Sequence, residues 1–125
     1  MDEVDPAYGS FQEARAAFER GDYQTALTLL QESLNHSVHF KTLELMGESL
    51  VHMGRAHEAI VPLAAATGLN RGSRAPCLLA EAFASIEDWT SAKDAAEESL
   101  KRTPNYARAK SVFEEAQKKL TSRRI

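Results

Sequence analysis

The sequence predicts an all-α chain, a stack of antiparallel helix pairs with about seven helices. Two observations carry this. The first is an internal repeat: Gly21-Asp22-Tyr23-x-x-Ala26, Gly54-Arg55-Ala56-x-x-Ala59 and Glu87-Asp88-Trp89-x-x-Ala92 align at a spacing of 33 residues. The register extends both ways, through Ala14, Gly47 and Ala80, then Ala17, Leu50 and Phe83, then Leu30, Leu63 and Ala96, and finally Ser33, Ala66 and Ser99. The second is periodicity. Leu43, Met46, Leu50 and Met53 fall on one helical face, and no stretch alternates apolar and polar residues as a half-buried strand does.

Each unit reads as two helices joined by a tight turn. Asp5 before Pro6 supplies an N-cap followed by a proline at the first helical position. Gly21 and Gly54 suit the left-handed conformation that ends a helix, and Asp22 and Asp88 suit the caps of the helices that follow. Gly68 before Leu69 reads as a helix end with the leucine folded back. Ser73 reads as the cap of a helix that carries Pro76 in its first turn.

The small residues of the repeated columns let two helices cross closely, each facing a bulky residue on its neighbour. A lone pair cannot bury its apolar face, so pairs stack and the end needs a cap. From Asn105, a stripe of Tyr106, Ala109, Val112, Phe113, Ala116 and Leu120 opposes a charged face, as in a closing helix. Trp89, beside a turn, is expected to pack between helices.

A chain of 125 residues with 43% apolar and 26% charged residues is an ordinary globular composition for one domain, residues 1–125. No apolar run approaches the ~20 residues of a membrane span. The acidic start is unlike a secretory signal, and the single cysteine, Cys77, excludes an internal disulfide. A cytoplasmic location follows as the default. Residues 1–100 carry a net charge of −9 and residues 101–125 one of +6. The acidic body opposes nucleic-acid binding, whereas the basic end is either a solvated face or a surface for an acidic partner or a second copy.

These columns resemble the tetratricopeptide repeat family. Leu43, Met46, Gly47, Leu50, Ala59, Leu63 and Ala66 match its signature in the middle unit, and Leu79, Ala80, Phe83, Ala92, Ala96, Ser99 and Pro104 in the third. The first unit departs at Ser10 and Glu13, the third has Glu87 for the turn glycine, and Arg71 replaces a closing proline. The resemblance implies repeats at about 7–39, 40–72 and 73–105 with a capping helix at about 105–122. It also implies a right-handed superhelix and a concave groove lined by each unit's first helix. A period of 33 against the family's 34 implies one turn a residue short. Family members typically bind peptides or protein segments in the groove as adaptors, scaffolds or co-chaperones.

Mapped onto this chain, the family's groove positions hold Tyr8, Phe11, Gln12, Arg15, Phe18 and Glu19 in the first unit. In the second they hold Lys41, Glu44, Leu45, Glu48, Val51 and His52, and in the third Arg74, Cys77, Leu78, Glu81, Ala84 and Ser85. Of these, Tyr8, Phe11, Arg15, Lys41, Glu44, Glu48, His52, Arg74 and Glu81 are the candidate contacts. Glu48, Glu81 and Glu114 form an acidic ladder with Glu44 beside it, which a basic-plus-apolar partner would relieve; an ordinary solvated face is the alternative. Tyr8, Phe11 and Phe18 read as an aromatic cluster at one end, with Phe18 the one most suited to packing under the first unit. The family's grip on C-terminal carboxylates needs Lys, Asn and Arg where this chain has Phe11, Arg15, Leu45, Arg74 and Leu78. Only Arg74 keeps that chemistry, so such tails are not expected to bind.

Catalytic chemistry finds little support. His36 with His39, and His52 with His57, lack metal-ligand companions; Cys77 could be drawn with one of these histidines as nucleophile and base but lacks an orienting third group, and a small buried or half-buried thiol is the alternative; and the six glycines are scattered rather than forming a phosphate loop. No cofactor or metal is expected. The competing reading is a structural role through self-association, as in a homodimer, of the acidic body with the basic last helix.

Overall fold

The computed structural model describes residues 5–122, and these form seven α-helices. They are α1 (Pro6–Glu19), α2 (Tyr23–His36), α3 (Phe40–His52), α4 (Ala56–Leu69), α5 (Arg74–Ser85), α6 (Trp89–Arg102) and α7 (Ala107–Ser122). Consecutive helices pack as pairs, α1 with α2, α3 with α4 and α5 with α6, while α7 closes the stack against α6 and α5. The first helices of successive pairs also touch, so α1, α3, α5 and α7 form one continuous face. No strand occurs among the described residues.

The repeat register reappears as repeated hydrogen bonds. In the three turns within pairs, the amides of Asp22, Arg55 and Asp88 donate to the carbonyls of Ala17, Leu50 and Phe83, at 2.9, 2.8 and 3.0 Å. This closure requires a left-handed residue just before, and Gly21, Gly54 and Glu87 take φ of 79°, 76° and 61°. Glu87 thus holds a glycine conformation because its column demands it. Asp22 and Asp88 accept from the Thr25 and Ser91 amides at 3.2 Å, and Asp5 accepts from the Ala7 amide at 2.9 Å. Arg55 has no capping acceptor and instead grips Glu58, one turn into α4.

Two helix ends differ from expectation. Gly68 lies inside the last turn of α4, which runs on to Leu69, and Leu69 is 56% exposed rather than folded back. The Asn70 side chain closes this end by donating to the Ala66 carbonyl, so no left-handed glycine is needed. Ser73 precedes α5 but its hydroxyl does not cap it; the hydroxyl meets that of Thr103 instead. The connections between pairs span residues 37–39, 70–73 and 103–106, the first being one residue shorter.

The core follows the small-residue columns. Ala14, Gly47 and Ala80 are buried, and a Cβ on Gly47 would stand 2.3 Å from Leu63 Cγ. Ser33 and Ser99 are buried as well. Their hydroxyls donate to the carbonyls of Ala7 and Ser73, at 2.8 and 2.9 Å, pinning each second helix to the start of its first. Trp89 packs among Ala80, Ala92, Ala96 and Val112, with Lys119 over its ring.

Arg102 adds a longer strap. Its guanidinium donates to the carbonyls of Thr67, Asn70 and Gly72, at 3.1, 3.1 and 2.9 Å, and its Nε to Glu98. One side chain so ties the end of α6 to the α4–α5 connection.

Candidate functional site

The face made by α1, α3, α5 and α7 carries three adjoining clefts. One, of about 380 Å³, lies between α1 and α3 and is lined by Phe11, Arg15, Phe18, Glu19, Lys41, Glu44, Leu45, Glu48 and Arg74. A second, of about 340 Å³, opens at the start of α1 and α3, where Tyr8, Phe11, Gln12, Arg15, His39 and Lys41 meet. A third, of about 160 Å³, lies between α3 and α5, with His52, Val51, Leu78, Glu81 and Arg108 on its walls. All nine candidate contacts border at least one cleft. Helical spacing explains the placement: Tyr8, Phe11 and Arg15, like Lys41, Glu44 and Glu48, follow one face at intervals of three or four residues.

The electrostatics depart from an open acidic ladder. Arg74 Nη2 donates to Glu48 Oε1 at 2.6 Å, reaching back from α5 to α3. Arg108 does the same from α7 to α5, with Nε and Nη2 donating to the two Glu81 oxygens at 2.6 and 2.7 Å. The expected repulsion between Glu48 and Glu81 is therefore already relieved within the chain. Glu114 lies apart, in a shallow depression with Gln117 and Lys118. The sequence held a signal for this: Lys41, Arg74 and Arg108 form a basic column at nearly the same period as the acidic one.

Glu44 differs from its neighbours. Its side chain is only 9% exposed, and the cation beside it, Arg74 Nε, stands 3.8 Å away, beyond hydrogen-bonding distance. Burial, with Glu48 adding to it, pushes its carboxyl above the usual carboxylate range, while Arg74 and Lys41 pull the other way. Arg15 is engaged with Glu19 at 3.4 Å, both well exposed.

The aromatic residues do not form one cluster. Ten residues of helix separate Tyr8 from Phe18, roughly 15 Å at the α-helical rise. Tyr8 is 58% exposed at the start of α1, and Phe11 packs toward Ala14, Leu30 and Leu45. Phe18 instead joins Tyr23 and His52: the His52 ring stacks on Tyr23 at 4.9 Å and meets Phe18 edge-on at 5.4 Å. His52 thus ties the end of α3 to the first pair while bordering the third cleft.

Cys77 is buried beside Glu81 and Tyr106. Burial first, then the Glu81 charge, push its thiol up to about 11. A group that stays protonated at neutral pH is a poor nucleophile. His39 Nδ1 accepts from the Lys41 amide at 3.2 Å and so caps α3. Among the described residues, no three His, Cys, Asp or Glu side chains stand close enough to share a metal ion, and no helix is long and apolar enough to cross a membrane.

Three of the eight basic residues in 101–125 are engaged inside the molecule. Arg102 binds backbone carbonyls, Arg108 binds Glu81, and Lys119 covers Trp89. Such engagement weakens the expectation that this segment seeks the acidic body of a second copy.

No protein-family model matches the chain, and no curated protein matches it in sequence. Solved structures do match its fold. The Sgt2 TPR domain from Aspergillus fumigatus superposes with a TM-score of 0.90 at 21% identity, covering 97% of this chain and 83% of that one. The first TPR of Spaghetti (RPAP3), bound to an HSP90 peptide, gives 0.90 at 16% identity, covering 95% and 96%. The Yersinia enterocolitica type III secretion chaperone SycD, in complex with a peptide of the translocator YopD, gives 0.84 at 17%, covering 94% and 96%. The chain therefore has the tetratricopeptide-repeat fold: three helix pairs and a closing helix in a solenoid-like stack.

Proposed function

With the tetratricopeptide-repeat fold as premise, we propose that the chain is a protein-interaction module that takes a segment of another protein along the α1–α3–α5 face. Its role is that of an adaptor, scaffold or co-chaperone, acting in the cytoplasm and without catalysis. The observation that carries this is the run of adjoining clefts, in which exposed polar groups alternate with Tyr8, Phe11, Phe18 and Leu45. Similar structures hold an HSP90 peptide and a YopD peptide, which supports a peptide as the ligand class. The repeat units are residues 7–39, 40–72 and 73–105, closed by 105–122.

The favoured ligand is a compact segment with apolar and basic side chains. Chaperone tails ending in a carboxylate are disfavoured. At the positions that grip them elsewhere in the family, Leu45 and Leu78 are buried and Arg74 is held by Glu48.

The test is affinity capture from lysate with Tyr8→Ala, Lys41→Glu as bait. Both residues are exposed, so the fold is expected to survive. Val61→Ala, exposed on α4 away from the clefts, is the control. Loss of a partner by the first variant and its retention by the second supports the groove; equal capture by all three refutes it. Its burial and raised thiol predict that Cys77 labels far more slowly than a free thiol at neutral pH until the chain unfolds, and fast labelling of the folded chain would reopen a catalytic role.

A further inference from the structure

We infer that the cleft between α1 and α3 is an anchor for one arginine or lysine side chain of the bound segment, with Glu44 as the group that recognises its charge. This rests on the groove reading above and adds the chemistry of the anchor.

Glu44 has an incomplete set of partners. A carboxylate largely withdrawn from water gains from hydrogen bonds or a close cation. Arg74 gives its hydrogen bond to Glu48 and comes no nearer to Glu44 than 3.8 Å. Arg15 is engaged by Glu19. Lys41, one turn earlier on α3, is exposed and makes no ion pair among the described residues. Glu44 therefore sits nine-tenths buried, receives no hydrogen bond from a described group, and keeps its carboxylate oxygens open to the cleft it faces rather than sealed in the core.

The walls define what fits. Phe11 and Phe18 stand two helical turns apart on α1, and Leu45 lies across from them on α3. A basic side chain has an apolar stem for such walls and a charged head for the carboxylate, and its cation gains further from an aromatic face. Arginine is the better fit. Its planar fork stacks on a ring and presents several donors, enough to bind Glu44 while sharing Glu48 with Arg74. An acidic side chain or C-terminal carboxylate would meet Glu44 as a like charge.

The experiment is a random heptapeptide library displayed on phage, selected separately on the wild type and on Glu44→Gln, each shown folded by circular dichroism. Wild type is expected to enrich peptides with a basic residue at one fixed position among apolar ones. Glu44→Gln is expected to lose that basic preference at least tenfold while keeping the apolar positions. Enrichment without a basic position, or a basic preference unchanged in Glu44→Gln, overturns the anchor and leaves the groove reading standing. No enrichment on either bait overturns both.

A second measurement needs no variant of the protein. In a selected peptide, citrulline replaces the arginine, keeping shape but removing charge. A tenfold or greater loss of affinity supports the anchor; equal affinity refutes it.

Discussion

Arg108 closes on Glu81 with two parallel hydrogen bonds, Nε to Oε2 at 2.6 Å and Nη2 to Oε1 at 2.7 Å, and so fastens α7 to α5. Arg74 and Glu48 repeat the link one pair earlier with a single bond. The basic and acidic columns that look independent along the chain are thus partners across neighbouring helices.

The first prediction concerns that bidentate pair. Both side chains are partly solvated, so the pair is expected to contribute only about 0.5–1 kcal/mol. A double-mutant cycle of Glu81→Gln and Arg108→Gln, read by urea unfolding, should give a coupling of that size that shrinks in high salt. Coupling near zero at low salt would contradict it.

Glu87 offers a gain in stability. A non-glycine residue in left-handed conformation costs roughly 1–2 kcal/mol, and Glu87 holds φ at 61° in the column where Gly21 and Gly54 serve. Glu87→Gly is expected to raise stability by about 1 kcal/mol, and Gly54→Ala to lower it by a similar amount. Thermal unfolding of the two variants checks both signs.

Gly47 offers the reverse. Its missing side chain is where Leu63 packs, and an added Cβ would stand 2.3 Å from Leu63 Cγ. Gly47→Ala should cost about 1–3 kcal/mol through overpacking. Gly9, also helical but with open space around its Cα, is the control. Gly9→Ala should stabilise by roughly 0.8 kcal/mol through helix propensity. Equal effects at the two sites would remove the packing argument.

Glu44 sets a pH dependence. Burial holds its folded-state carboxyl above the ordinary range, so the folded chain takes up this proton at higher pH than the unfolded chain. Stability from this group therefore rises as pH falls from neutral through that window, and is lost as pH rises through it. The charges facing Glu44 are Arg15 and Glu19 on α1, Lys41 and Glu48 on α3, and Arg74 on α5. Glu44→Gln should unfold at a higher temperature than wild type at pH 7, with the gap closing as pH falls toward the ordinary carboxylate range. Asp22 and Glu58, whose carboxyls are lowered by the Thr25 and Arg55 hydrogen bonds, act alike in both proteins and cancel in the comparison. A gap independent of pH would contradict the assignment.

The fold was legible because its determinants are local and tripled. Glu87 is not a turn-forming residue, yet its register with Gly21 and Gly54 is enough to place the turn. Gly68 misled because a glycine near a helix end is a frequent stop, whereas the Asn70 side chain closes α4. The clefts were legible through helical spacing, their charge state less so. Arg74 and Glu48 are 26 residues apart, and reading like charges in single columns hides a bond that runs between columns. Arg102 was hidden more deeply, since its acceptors are backbone carbonyls that carry no sequence signature.

The strap made by Arg102 has a mechanical consequence. It stiffens the joint between the second and third helix pairs, where one guanidinium spans residues 67–72. The matching position one repeat earlier is Leu69, which cannot donate, so the joint at residues 37–39 has no equivalent brace. The cleft holding Glu44 spans this unbraced joint, between α1 and α3, so a bound segment that touches both helices would supply the cross-tie that the chain itself lacks there.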